Sequence, residues 1–103
     1  METLQVSVKE AYEKLHLLIT KHPGPIDQYS DLKKMLRKCG FKSQIVFRGK
    51  DYEATKSSDR YEIITTDPGS TGWSKRGKGR SLGEAVKETV ESCNRMHYIH
   101  QQQ

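Results

Sequence analysis

Little in this chain commits it to an oxidising compartment, a membrane or a catalytic pocket. Only two cysteines occur among its 103 residues, Cys39 and Cys93. Each falls on an apolar helical stripe, so both read as free buried thiols and not as a disulfide framework. No apolar run approaches the ~20 residues that cross a bilayer. The start Met1-Glu2-Thr3 lacks the basic and apolar regions of a signal peptide. An intracellular protein without a membrane partner is expected. Three prolines, a single tryptophan and a hydrophobic content of 33% leave material for one thin core, hence a single domain over residues 1–103.

Catalytic and metal-binding spacings are equally scarce. Asp51, Glu53, Asp59 and Glu62 lie in a polar stretch with no pocket-forming apolar run, so the chain is not read as an enzyme, and no catalytic residue or cofactor is assigned. Cys93, His97 and His100 stand at i, i+4 and i+7, a face that could offer zinc three ligands, with Cys39 as a fourth. Without a CxxC or HExxH element beside them, no metal site is assigned.

Charge, by contrast, is plentiful and segregated. The net charge of +5 conceals a basic block over residues 27–50, an acidic stretch over 51–72, and the acid-free block 73–80 with Lys75, Arg76, Lys78 and Arg80. Two separated basic blocks resemble the footprint of a polyanion-binding surface more than a uniformly solvated one.

Periodicity supplies the elements. Ser7-Val8-Lys9-Glu10 fits a capping box, followed by Val8, Ala11, Tyr12, Leu15, Leu18 and Ile19 at helical spacing until His22-Pro23-Gly24-Pro25 ends the segment. A helix over residues 8–21 is predicted. A second follows Pro25, with Ile26, Tyr29, Leu32, Leu36 and Cys39 on its stripe and Gly40 as the left-handed residue beyond its end. Lys33, Lys34, Arg37 and Lys38 fill its last two turns, where they also complement the helix dipole.

Past Gly40 the period changes to two. Alternation over Lys42 to Arg48, with Ile45 and Phe47 on one face, and over Tyr61 to Thr66 predicts two strands, and a third is expected around Thr71 to Arg76 with Trp73 in the core. Ser81-Leu82-Gly83-Glu84 then opens a helix to about Met96, after which residues 97–103 are expected to fray. The fold class is therefore α+β in the order α-α-β-β-β-α. A three-stranded antiparallel sheet carries the last helix across one face.

The run Trp73-Ser-Lys-Arg-Gly-Lys-Gly-Arg-Ser81 reads as a basic, glycine-rich turn placed directly before a helix N-terminus, where backbone amides and the helix dipole favour an anion. Gly77, Gly79, Ser81 and Ala85 match the turn and helix start of the double-stranded RNA-binding domain, which this chain resembles over about residues 26–96. The helix at 8–21 would be an extension of that core. The resemblance implies recognition of duplex RNA by shape and phosphate contacts without sequence preference. Lys75, Arg76, Lys78, Arg80 and Lys87 would grip phosphates, while Lys34 and Lys38, with Gln28 and Asp31 beside them, would lie on the helix that enters a minor groove. Leu82, Gly83 and Val86 occupy places where that family carries lysines, and Gly49 to Arg60 holds no proline-histidine loop.

A second reading therefore stands beside the first, a protein interaction or dimerisation module on the same scaffold that has lost RNA binding. Tyr12, Leu15 and Leu18 on the first helix are its expected contact residues, taking a second copy or another protein.

Overall fold

The computed structural model describes residues 2–47, 60–68 and 74–102, with the side chains of 2–7 and 74–76 left out of the description. The elements run α1 (Glu2–Lys21), α2 (Tyr29–Lys38), β1 (Lys42–Phe47), β2 (Tyr61–Thr66), β3 (Ser74–Gly79) and α3 (Leu82–Gln101). The α+β class and the element order are as expected. β1, β2 and β3 form an antiparallel meander with β2 in the centre.

Register divides the sheet into two faces. Ile45 pairs with Ile63 and Ile63 with Gly77, so Ser43, Ile45 and Phe47, then Tyr61, Ile63 and Thr65, then Lys75, Gly77 and Gly79 occupy positions on one side. Both α2 and α3 pack there. The Tyr29 hydroxyl meets Ser43 Oγ at 2.8 Å, and α3 lies against Gly77 and Gly79. α1 packs on α3 and α2. The core gathers Leu32, Leu36, Ile63, Ala85 and Val86, all fully buried, with Tyr12 and Leu15 of α1 at 1% exposure.

Local signals account for several boundaries. Gly40 adopts φ +89°, the left-handed conformation expected beyond α2. Cys39 and Cys93 are buried and not joined in a disulfide, as read, and burial pushes the Cys39 thiol up. The Ser81 hydroxyl accepts from the Glu84 amide at 3.2 Å, the cap predicted for α3.

Three boundaries differ from expectation. α1 starts at Glu2 and not after Ser7, because neither glycine nor proline stands among residues 2–7 to halt it. α3 continues through the stretch expected to fray, since His97 and His100 pack on α1 and hold its last turns in place. β3 spans 74–79, three residues later than predicted, so Gly77 and Gly79 belong to a strand and not to a turn. The expected start of that strand, residues 71–73 with Trp73, lies outside the described residues. Ile45 and Phe47 lie by register on the side of the sheet that the helices pack against. They are 38% and 59% exposed, because β1 is an edge strand and the helices do not cover its outer side.

Candidate functional site

Strand geometry changes what the block 73–80 can do. Because Lys75 shares its side of the sheet with Gly77 and Gly79, while Arg76 and Lys78 occupy positions on the other, the four cations do not form one loop surface. The glycines have a packing reason. A Cβ at Gly77 would come within 2.1 Å of Thr89 Oγ1 and 2.9 Å of the Ala85 carbonyl oxygen, and one at Gly79 within 2.6 Å of the Ala85 nitrogen. Their bareness lets α3 lie on β3, and that contact explains them without an anion.

The helix start beyond them is already furnished. Glu84 Oε1 accepts from the Arg80 amide at 3.0 Å, the Ser81 hydroxyl caps the first turn, and the Asp27 carbonyl oxygen would stand 3.5 Å from a Cβ on Gly83. The amides of Arg80 and Glu84 at this N-terminus are thus already bonded by the chain's own oxygens. Glu88 Oε1 likewise accepts from the Lys78 amide at 3.0 Å. Lys78, Arg80 and Lys87 are all exposed, but Glu84 and Glu88 are interleaved with them.

α2 is different. Leu32, Met35 and Leu36 are buried, which turns Lys33, Lys34, Arg37 and Lys38 outward, every one of them exposed. Spacing sets Lys33 above Arg37 and Lys34 above Lys38, two like-charge i, i+4 pairs side by side. The one acid within the helix, Asp31, has its Oδ2 3.8 Å from His22 Nε2. Among the described side chains no lysine or arginine is ion-paired. Sequence reading had placed only Lys34 and Lys38 in the site. The stacked like-charge spacing was the signal that Lys33 and Arg37 share their face. No protein-family model, curated protein or solved structure matches the chain. The reading of this site therefore rests on geometry alone.

The contact residues expected on α1 do not offer a surface. Tyr12 and Leu15 are buried, and Leu18 is half-buried against the same core. The Tyr12 hydroxyl donates to Asp67, its ring sits edge-on to Phe41, and it stacks on His100 with centroids 5.2 Å apart. Burial and the Asp67 carboxylate both hold that phenol far above its ordinary pKa. Among the described side chains of this helix, Leu17 is the exposed large hydrophobic, at 55%.

The three zinc-type side chains on α3 are also engaged in packing. Cys93 is 2% exposed, His97 stacks on His16 of α1 with centroids 4.3 Å apart, and His100 lies on Tyr12. Among the described residues no three potential metal ligands converge, and no helix is long and apolar enough to cross a membrane.

Proposed function

We propose that this domain binds double-stranded RNA by shape and phosphate contacts, with the outward face of α2 as its principal docking surface. One observation carries the reading. Two adjacent like-charge pairs on a ten-residue helix each cost about 0.2–0.5 kcal/mol, and the single acid of the helix, Asp31, has only Lys34 of the four cations at i, i+3 or i, i+4 spacing. These cations contribute little to the fold beyond the dipole interaction of Arg37 and Lys38 in the last turn and the approach of Lys33 to the Tyr29 ring. A ligand with regularly spaced negative charge reverses the sign of their repulsion.

Duplex RNA supports that role better than a base-reading mode, since lysine and arginine on a short helix meet phosphates and ribose across a shallow minor groove. Lys87, Lys78 and Arg80 form a weaker second patch at the start of α3, tempered by Glu84 and Glu88. Lys75 and Arg76 remain candidates by their place on β3.

The test is a gel-shift titration of duplex RNA with Lys34→Glu and Lys38→Glu combined. Both side chains are exposed, so the circular dichroism spectrum should not change. The expected result is at least tenfold weaker binding, about 1.4 kcal/mol. Equal affinity of variant and parent would exclude α2 as the surface, and no salt-sensitive affinity in the parent would favour the interaction module.

A further inference from the structure

The two edges of the sheet are treated differently by the rest of the molecule. At β3 the outward amide of Lys78 is taken by Glu88, and the amide of Arg80 just beyond the strand by Glu84, each at 3.0 Å. Carboxylates from α3 thereby close that edge to strand pairing. Nothing comparable guards β1 among the described residues.

Register then tells which groups of β1 face outward. Since the Lys78 amide points away from β2, its partner Glu62 directs its own main-chain groups toward β1, where it meets Val46. Alternation places Gln44 and Lys42 in the same class as Val46, bonded inward. Ser43, Ile45 and Phe47 are left with their amides and carbonyls turned away from the sheet. Two of these three residues are the exposed hydrophobics of the strand, Ile45 at 38% and Phe47 at 59%. The bond between the Tyr29 hydroxyl and Ser43 Oγ fixes the strand to α2.

We propose that the outer edge of β1 is a docking site for an extended peptide in which apolar and acidic residues alternate, added to the sheet as a fourth strand. Main-chain bonds to Ser43, Ile45 and Phe47 would supply the ladder. Apolar side chains on one side of the peptide would cover Ile45 and Phe47, while those on the other would lie beside the exposed Lys42. Charge decides the chemistry of the occupant. From Leu32 to Phe47 the sequence contains no acid, and the exposed Lys42 opens the strand on the side where the acidic residues of the peptide would lie. A second copy of the chain, itself at +5, meets repulsion there.

The proposal does not depend on RNA binding. Fluorescence anisotropy with a labelled peptide of alternating glutamate and valine, about eight residues long, tests it. The same residues grouped in two blocks, and an alternating lysine-valine peptide, serve as comparisons. The alternating acidic peptide should bind, and Ile45→Lys and Phe47→Lys should each weaken it at least tenfold without altering the circular dichroism spectrum. Binding should also slow hydrogen exchange at the Ser43, Ile45 and Phe47 amides while leaving Gln44 and Val46 unchanged, a readout that needs no variant. Lys34→Glu with Lys38→Glu should retain at least part of the peptide affinity, which separates this edge from the α2 face. Absence of binding, equal binding of the block peptide, or unchanged exchange at the three amides would overturn the assignment. So would light scattering showing that the free protein doubles its mass through this edge.

Discussion

Gly77 and Thr89 lie so close that a Cβ on the glycine would stand 2.1 Å from the threonine hydroxyl. That hydroxyl donates to the Ala85 carbonyl at 2.8 Å and is fixed in place by it. Two further obstacles, the Ala85 oxygen and the Thr89 nitrogen at 2.9 Å, belong to the backbone and cannot swing aside. Gly77→Ala should therefore separate α3 from β3 and cost at least the ~1–3 kcal/mol typical of overpacking. Urea denaturation checks this. Adding Thr89→Ala should recover only part of the loss, because the backbone contacts remain.

Thr65, wholly buried on β2, has a hydroxyl with no hydrogen-bond partner among the described residues. Replacing it with a methyl group of the same shape removes a desolvated polar atom at no cost in packing. Thr65→Val should raise stability by about 1 kcal/mol, seen as a higher urea midpoint with an unchanged slope. A lower midpoint would show that the hydroxyl is satisfied.

Burial holds the His97 imidazole below its ordinary pKa, with His16 and His100 adding to the effect and Glu13 opposing it. The unfolded chain then takes up this proton at a higher pH than the folded one. Stability is full above the ordinary imidazole value of about 6.5. It should fall as pH drops through that value and level off once the folded ring is itself protonated. Denaturant midpoints measured on both sides of the window should differ in the parent and differ less in His97→Gln.

Salt dependence gives a further check on the α2 face. If Lys34 and Lys38 each neutralise a phosphate, their removal should reduce the slope of log K against log salt by about 2. A double variant with weaker binding but an unchanged slope would mean that the lysines shape the surface and do not touch phosphate.

How far the site was legible follows from where its information lies. The α2 face could be read in advance because Leu32, Leu36 and the basic positions between them obey one short period. The outward turn of Lys33 and Arg37 follows from the same wheel. The glycine-rich block could not be placed so easily. Gly77 and Gly79 favour a turn locally, and only the approach of α3, some eight residues later in sequence, makes them strand residues. The burial of Tyr12 likewise depends on Asp67 and His100, both remote in the chain.

The sequence alone determined the α+β class, the element order, the end of α2 at Gly40 and the Ser81 cap, since each depends on residues within one or two turns of one another. Tertiary structure decided that Tyr12 and Leu15 of α1 are core and not a free surface, that the amides of Lys78 and Arg80 at the β3 edge are taken by Glu88 and Glu84, and that β1 meets no such carboxylate among the described residues. Those outcomes depend on which distant segments meet. Contacts between them are set by packing of the whole chain, which a local period does not encode.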